Sequence, residues 1–222
     1  MSDFPTHTSE ELHQRLAEAS LYILIGGQTD VADLRALAMT LVQAGVHVLQ
    51  LRDKSLSDRE LLERARILRR VTDSTNTLFI VNDRPDLAFL AEADGVHVGQ
   101  EEFSIDDARR IVGPKRLIGV STHTLEQARQ AVADGASYLG CGPTFPSETK
   151  TFSSFAGTDF LSQVAKEVRL PAFAIGGIGL SNLDAVIRVG FHRVAIGSAV
   201  AEADDPAAQA RQILRRLGNV LR

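Results

Sequence analysis

Eight short apolar runs, separated by stretches with helical periodicity, constrain the fold of this chain more than any other feature. The runs are rich in β-branched and aliphatic residues and lie at 21–25, 46–51, 77–81, 94–98, 116–120, 136–140, 171–175 and 192–196. Strands that are apolar on both faces are typical of a buried parallel sheet. Eight strand–helix units in 222 residues predict an α/β fold, a single (β/α)8 TIM barrel spanning 1–222, with a doubly wound open sheet as the alternative.

The segments between these runs carry the end signals of helices. Residues 58–71 repeat apolar side chains three and four positions apart, and residues 125–135 finish with a glycine stop. Ser181 is the predicted N-cap of the helix that precedes the last strand. An extra N-terminal helix is predicted at 9–19, after a flexible N-terminus at 1–8.

Charge and hydropathy make several kinds of partner improbable. The formal net charge of −4 and the pI of about 5.9 leave no basic stripe, so neither nucleic acid nor an anionic membrane is an expected partner. The chain has no apolar run of about 18 residues, and its first residues lack the pattern of a secretory signal, which predicts a cytoplasmic protein. The lone Cys141 is interpreted as a small packing residue. The sequence leaves a homo-oligomer open.

Acidic side chains follow the third and the fourth apolar runs. Asn82 and Asp83 follow the third run, and Gln100, Glu101 and Glu102 follow the fourth. In a (β/α)8 barrel the carboxyl ends of neighbouring strands converge on the face that carries chemistry. Two carboxylates there would suit Mg²⁺, which keeps several waters and leaves positions for phosphate oxygens. The alternative is that Asn82 and Asp83 cap the next helix and that the glutamates are solvated first-turn charges.

A basic pattern ends the second apolar run. Gln50, Arg52 and Lys54 are spaced by two, so an extended chain projects all three side chains to the same side. A guanidinium and an ammonium both suit a phosphate or a diphosphate, so a buried cluster of this kind predicts an anion site. The alternative is a solvated loop in which Arg52, Asp53 and Lys54 pair with one another.

Glycine turns follow the last two runs. Gly176 and Gly177 follow the seventh run, and Gly197 and Ser198 follow the eighth. Barrel enzymes often hold a phosphate at these two positions, using backbone N–H groups and the N-terminus of a short helix. The pairing of the two turns favours a phosphate site over ordinary turn chemistry.

The connection from 141 to 157, after the sixth run, is longer than an ordinary loop and is rich in hydroxyl groups. Ser147, Thr149 and Lys150 are candidate phosphate ligands in it, with an exposed polar loop as the alternative. Ser121, after the fifth run, is a candidate phosphate donor or the cap of the following helix.

Two phosphate sites, one of them with Mg²⁺, indicate group transfer with diphosphate as the leaving group. The cation and the basic side chains would neutralise the negative charge that develops on it. No Ser-His-Asp or Cys-His pair is evident, so direct attack by a second substrate is the simplest hypothesis. Four histidines lack metal-ligand spacing and are interpreted as packing or loop residues: His47, His97, His123 and His192.

Six ordered motifs together resemble the thiamine-phosphate synthase family. They are QLRDK, NDRPDLAFLAEADGVHVGQEE, IGVSTH, GASYLGCGPTFPSETK, AIGGI and IGSAV, and the resemblance extends from about residue 20 to residue 205. The family resemblance implies a (β/α)8 barrel that joins hydroxymethylpyrimidine diphosphate to thiazole phosphate, with Mg²⁺, to give thiamine phosphate and diphosphate. A dissociative mechanism, in which the thiazole nitrogen traps a pyrimidine methylene cation, is also implied.

The resemblance also implies roles for individual residues. Those that would bind the pyrimidine diphosphate are Gln50, Arg52, Lys54, Asn82, Ser121 and Lys150. Among these, Arg52, Lys54, Ser121 and Lys150 would be catalytic. Those that would hold the thiazole phosphate are Ser147, Thr149, Gly177, Gly197 and Ser198. Asp83 and Glu102 would bind Mg²⁺.

Two departures from the family pattern concern these roles. Glu102 stands where the family usually has Asp, which keeps the charge but moves the carboxylate, so metal binding there could become water-mediated. Ser147 replaces a common Thr and retains the hydroxyl. A related thiazole tautomerase would carry a His in the block after the sixth run, where this chain has Gly142 and Pro143. A non-catalytic sensor of thiamine precursors would need the anion donors but neither the carboxylates nor Lys150.

Overall fold

Eight parallel strands close into a barrel in the computed structural model, which describes residues 7–26, 30–146 and 155–218. The strands are β1 (Leu21–Ile25), β2 (Val48–Leu51), β3 (Leu78–Asn82), β4 (Gly95–Val98), β5 (Leu117–Thr122), β6 (Tyr138–Cys141), β7 (Ala172–Ile175) and β8 (Val194–Ile196). Each strand pairs with the next, and β8 pairs with β1. The predicted (β/α)8 barrel is confirmed, and the open sheet is wrong, because an open sheet would leave two unpaired edges.

Helices alternate with the strands and pack around them. They are α1 (Ser9–Glu18), α2 (Val31–Gln43), α3 (Asp58–Thr72), α4 (Pro85–Leu90), α5 (Ile105–Val112), α6 (Leu125–Ala133), α7 (Gly157–Glu167), α8 (Leu183–Arg188), α9 (Ser198–Ala201) and α10 (Pro206–Gly218). Several helices begin directly after a Ser or Thr whose hydroxyl serves as the N-cap. In α3, Ser57 accepts from the Glu60 N–H while the Glu60 carboxylate accepts from the Ser57 N–H, which satisfies two free backbone donors at once.

Two apolar clusters build the core, one on each face of the sheet. The outer cluster lies between strands and helices, and the inner one fills the barrel. Alternation along each strand produces the division: in β1, Leu21 and Ile23 face the helices, whereas Tyr22 faces inward. Tyr22, Tyr138 and Phe173 meet inside the barrel in tilted and edge-to-face contacts. The interior of the barrel is therefore filled with side chains below the carboxyl ends of the strands.

The predicted N-terminal helix closes the bottom of the barrel. Leu12 and Leu16 of α1 are buried against the inner cluster. Thr8 is its N-cap, and Thr8 and Glu11 form a capping box. Thr8 is thus joined to the helix by its cap, and the flexibility of the segment 1–8 stays a prediction, since residues 1–6 lie outside the described part of the chain.

Ser181 is not the N-cap of α8. The N-cap is Asn182, which makes no side-chain cap hydrogen bond. Its amide instead serves the preceding turn, donating to the Gly177 carbonyl at 2.7 Å and accepting from the Gly179 N–H at 2.9 Å. The local preference for Ser as an N-cap therefore did not decide where α8 begins. The tertiary contacts of Asn182 with the glycine turn after β7 did.

Gly119 in β5 leaves space for Tyr138, one of the three aromatic rings inside the barrel, which form the floor of the cavity above them. A Cβ at this position would overlap the ring of Tyr138. We therefore expect Gly119→Ala to displace that ring and to lower the free energy of unfolding by about 1–3 kcal/mol, as overpacking does. Urea unfolding would measure the loss. Gly113→Ala is not an equivalent control because its φ is +82°. A Cβ on Gly218 would meet no other atom of the residues that the structure describes within 4 Å, so Gly218→Ala reports the ordinary effect of an added methyl group. An unchanged midpoint for Gly119→Ala would contradict the packing argument.

No helix within 7–26, 30–146 or 155–218 is long and apolar enough to cross a lipid bilayer. The cytoplasmic location stays a prediction. Cys141 lies fully buried in β6, and burial raises the pKa of its thiol to about 12. The interpretation of Cys141 as a packing residue agrees with this placement.

Candidate active site

A polar cavity of about 440 Å³ opens at the carboxyl ends of the strands. Seven of the predicted site residues line it: Gln50, Arg52, Lys54, Asn82, Asp83, Glu102 and Ser121. They come from β2, β3, β4 and β5 or from the loops that follow these strands. The alternation of side chains along strands and the convergence of strand ends explain why residues so far apart in sequence meet here.

The side chains of the basic pattern project to one side, as their spacing predicts. Gln50 is buried in β2, Arg52 is half-buried, and the Lys54 side chain is 59% exposed. The prediction of a buried cluster is therefore correct only for Gln50. Because exposure increases from Gln50 to Lys54, Gln50 makes its contacts inside the barrel, whereas Arg52 and Lys54 lie at the opening of the cavity.

Lys54 lies between the two predicted metal ligands. Its ammonium is 3.1 Å from the Asp83 carboxylate and 3.9 Å from that of Glu102. The two carboxylate side chains are only 21% and 30% exposed. Since β3 and β4 are neighbours, the loops that follow them bring the two carboxylates together. The Lys54 ammonium lies within 3.9 Å of both.

Asp83 adopts a backbone conformation that is uncommon for a residue with a side chain. Its φ is +61°, in the left-handed region that Asn and Asp tolerate better than most residues. The Asp83 N–H donates to the His97 carbonyl at 2.7 Å. This bond ties the turn after β3 to β4 and aims the carboxylate into the cavity.

Glu102 folds back over the loop that carries it. A Cβ on Gly99 would overlap the Glu102 carboxylate, so glycine at 99 permits this approach. The longer side chain thus reaches Lys54 by returning toward β4. The alternative in which Asn82 and Asp83 cap the next helix is wrong, because the N-cap of α4 is Arg84, without a side-chain bond. The glutamates are not first-turn charges either, because α5 begins at Ile105 with Ser104 as its N-cap.

The donor atoms of the cavity suit a metal ion that needs few protein ligands. Within residues 7–26, 30–146 and 155–218 no three His, Cys, Asp or Glu side chains form a metal-binding group. Mg²⁺ needs only one or two carboxylates, with water and substrate oxygens completing its shell. Asp83 and Glu102, which already share the Lys54 ammonium, supply that minimum, so the residues present fit Mg²⁺.

A chain of hydrogen bonds crosses the floor of the cavity. The Gln50 amide donates to the Tyr22 hydroxyl at 2.8 Å, and this hydroxyl is 3.0 Å from that of Tyr138. The Tyr138 hydroxyl is 3.2 Å from Nδ1 of His97, whose Nε2 is 3.0 Å from the Ser121 hydroxyl. Five strands contribute one residue each. The interpretation of His97 as a mere packing or loop residue is incomplete, because it connects Ser121 to this chain.

Burial controls the protonation of these groups. It lowers the pKa of His97 to about 4, although the nearby Asp83 acts in the opposite direction. It also raises the pKa of Tyr22 and of Tyr138. Near pH 7 the floor therefore presents a neutral imidazole and two neutral phenols.

Ser121 does not cap the next helix. Thr124 is the N-cap of α6 and accepts from the Gln127 N–H, while Ser121 lies within β5 and bonds to His97. The Gln100 amide donates to the Ser121 carbonyl at 2.6 Å. Both contacts hold Ser121 at the cavity wall.

The glycine turns after β7 and β8 lie beyond the residues that line the cavity. Gly176 and Gly177 have φ of +98° and +61°, and a Cβ on Gly176 would be 2.7 Å from Pro143 Cα. Gly197 precedes the short helix α9, which starts at Ser198. Ile175 and Ala195, two residues before Gly177 and Gly197, do line the cavity. The turns thus adjoin its rim.

The long loop after β6 is held at both of its described ends. Gly142 donates to the Thr122 carbonyl, and Nδ1 of His123 donates to the Gly142 carbonyl at 2.5 Å. At the other end, Ala156 donates to the Pro143 carbonyl at 3.0 Å. His123 also lines the cavity, a role that its sequence context did not indicate. The predicted ligands Ser147, Thr149 and Lys150 lie outside the described residues.

A second cavity, of about 770 Å³, lies at the opposite end of the barrel. It is lined by charges of both signs, among them Glu11, Arg15 and Glu18. Although it is larger, it adjoins the amino ends of the strands, where barrel residues usually serve stability. The carboxyl-end cavity is therefore the candidate active site.

The fold and the cavity place the chain among (β/α)8-barrel proteins whose polar site is built at the carboxyl ends of the strands. The family model for thiamine monophosphate synthase (TMP-TENI) matches residues 21–200. The chain belongs to this family.

Curated relatives and a solved structure agree with this assignment. The thiamine-phosphate synthase of Rhodopirellula baltica is 48% identical over 92% of this chain and 56% of the relative. That of Gloeobacter violaceus is 42% identical over 96% of this chain and 61% of the relative. A thiamine phosphate pyrophosphorylase structure from Pyrococcus furiosus superposes with a TM-score of 0.82 and 32% identity, covering 95% of this chain and 100% of that chain. The chain spans only 56–61% of the length of these two curated relatives.

Proposed function

We propose that the protein condenses hydroxymethylpyrimidine diphosphate with thiazole phosphate to form thiamine phosphate and diphosphate, in thiamine biosynthesis. The observation that carries the proposal is the cavity itself, in which basic side chains, two carboxylates and a buried aromatic floor occur together. A flat heteroaromatic ring that bears a diphosphate matches all three features. Family membership supports the same reaction.

The anion-binding part of the cavity fits the diphosphate. Arg52 offers a planar fork of donors and Lys54 a mobile point charge, and Ser121 and Asn82 add neutral polar groups at the same wall. These groups are expected to stabilise the charge that develops on the leaving oxygen. Lys150 is proposed to join them from the loop after β6.

The floor of the cavity fits the pyrimidine ring. Tyr22, Tyr138 and Phe173 provide aromatic surface, and Gln50 provides an amide beside it. In the proposed reaction the bond between the methylene carbon and the diphosphate oxygen breaks, and its electron pair leaves with the diphosphate. The thiazole nitrogen then donates its lone pair to the methylene carbon. Thiazole phosphate is proposed to be held by Gly177, Gly197, Ser198, Ser147 and Thr149.

Asp83 and Glu102 are proposed to hold Mg²⁺. The ion would supply positive charge to the diphosphate oxygens. Within the chain, Asp83 aims its carboxylate from a constrained turn, and the exposed Lys54 side chain is able to reorient toward the anion. The competing sensor hypothesis gives no reason for two half-buried carboxylates beside the anion site.

The decisive experiment measures diphosphate release by the purified protein with both substrates and Mg²⁺, and with each of the three left out in turn. Release that requires all three, with an equal amount of thiamine phosphate, is the expected result. The Asp83→Asn protein, purified in the same way, controls for contaminating activity. Tight binding of either substrate without release would refute the synthase proposal and favour the sensor.

A further inference from the structure

The hydrogen-bond chain across the cavity floor has a direction that its first member sets. The amide nitrogen of Gln50 can only donate, and it donates to the Tyr22 hydroxyl. That hydroxyl oxygen is thereby an acceptor, and its own hydrogen is directed to the next oxygen, that of Tyr138 at 3.0 Å. The opposite direction would bring the Tyr22 hydrogen against the Gln50 NH2 group.

The direction passes through Tyr138 to the ring of His97. The Tyr138 hydroxyl accepts from Tyr22 and so has its hydrogen available for Nδ1 of His97 at 3.2 Å. An imidazole nitrogen that accepts a hydrogen bond carries no hydrogen of its own, and the ring must carry at least one N–H. Because Nδ1 accepts, the hydrogen must be on Nε2, which faces the Ser121 oxygen at 3.0 Å.

Ser121 is the last residue of this hydrogen-bond chain and faces the cavity. Its oxygen accepts from Nε2–H, which leaves the hydroxyl hydrogen to be donated outward. A diphosphate oxygen is an acceptor only, so a hydroxyl that is already oriented as a donor binds it without a competing orientation. With the opposite direction, the Ser121 hydrogen would be given to His97 and would be lost to the ligand.

We propose that Tyr22 and Tyr138 are positioning residues that fix His97 with its hydrogen on Nε2 and thereby make Ser121 a dedicated donor to an anionic ligand. The identity of that ligand, the pyrimidine diphosphate, rests on the proposed function. The direction of the chain does not, because it is a property of the protein without substrate.

The first test is the position of the His97 hydrogen, read by long-range ¹H–¹⁵N correlation NMR on ligand-free protein labelled in its six histidines. His97→Gln identifies the His97 signals by their disappearance. The expected result at neutral pH is a single hydrogen, on Nε2. A hydrogen on Nδ1, or on both nitrogens, would overturn the proposal whether or not the protein turns over substrate.

Two substitutions test which end sets the direction. Ser121→Ala is expected to leave the hydrogen on Nε2, because Tyr138 still donates to Nδ1. Tyr138→Phe is expected to give a mixture of both forms, because Nδ1 loses its donor. The reverse pattern would show that the direction is set from the cavity side and would refute the proposal. Thr77→Val is the matched control, since it removes another buried hydroxyl, bonded to the Val46 carbonyl at 2.7 Å, away from this chain.

The kinetic test separates positioning from a structural role. Ser121→Ala is expected to raise KM for the pyrimidine diphosphate about tenfold, the effect of one hydrogen bond to a charged group. Tyr138→Phe is expected to raise the same KM at least about threefold, with KM for thiazole phosphate unchanged. Thr77→Val should alter neither constant. Equal increases in both KM values for Tyr138→Phe would indicate a general structural effect and contradict positioning. If the wild-type protein is inactive but carries its hydrogen on Nε2, the proposed function fails while the positioning of His97 stands.

Discussion

Replacing Asp83 with Asn is expected to lower turnover at saturating substrates by at least about tenfold, or about 1.4 kcal/mol of barrier. Asp83 is the carboxylate nearest to Lys54, at 3.1 Å, and its side chain is only 21% exposed. The change removes one negative charge from the proposed Mg²⁺ position and keeps the size of the side chain. Steady-state rates of diphosphate release over a range of Mg²⁺ concentrations would measure the effect.

Asn is a suitable replacement because it tolerates the left-handed conformation that position 83 requires, with φ +61°. The fold should therefore survive, which thermal unfolding would verify. The matched control is Asp184→Asn, the same chemical change in a half-exposed ion pair on α8, and it should leave turnover within about twofold because exposed pairs contribute little. Turnover of Asp83→Asn close to that of the wild type would refute the metal role.

The departure at Glu102 has a structural counterpart. The extra methylene lets the carboxylate return over Gly99, where only a glycine leaves space, and it still reaches Lys54 at 3.9 Å. The acidic pair is thus retained with a different path to the same position.

Local periodicity was sufficient to predict the barrel and part of the site. Side chains alternate strictly along a strand, so the spacing of Gln50, Arg52 and Lys54 translated directly into a common direction. The acidic residues followed from the rule that strand ends converge. Both are short-range properties, which a sequence displays.

The hydrogen-bond chain of the floor could not be predicted in this way. Its members are Gln50, Tyr22, Tyr138, His97 and Ser121, and each belongs to a different strand. Their contacts depend on the closure of the barrel and on which level of the interior each residue occupies. His97 belongs to no sequence motif. Its spacing of two from Gly95 and from Gly99, which places all three on the same side of β4, would have been a usable signal. Likewise, Ser181 matched a cap preference, but tertiary contacts assigned Asn182 to the turn instead.

Removing the carboxylate of Asp94 is expected to destabilise the fold by about 3–5 kcal/mol, because it leaves an unpaired charge in the interior. Asp94 precedes β4 and accepts from Arg69 at 2.9 Å and from the Phe79 N–H at 2.7 Å. Both side chains of the ion pair are only 4% exposed. Urea unfolding of Asp94→Ala, compared with the wild type, would measure the loss.

An exposed ion pair provides the matched control for this prediction. Asp106 and Arg110 of α5 are 2.7 Å apart, but both side chains are 72% exposed. Asp106→Ala should therefore change the free energy of unfolding by less than about 1 kcal/mol, since water solvates the remaining Arg110. Asp94 lies at the amino end of the barrel, so its loss should act on unfolding and leave KM for both substrates unchanged in the folded fraction. Equal destabilisation by the two substitutions would mean that the burial of the Arg69–Asp94 pair has no energetic consequence.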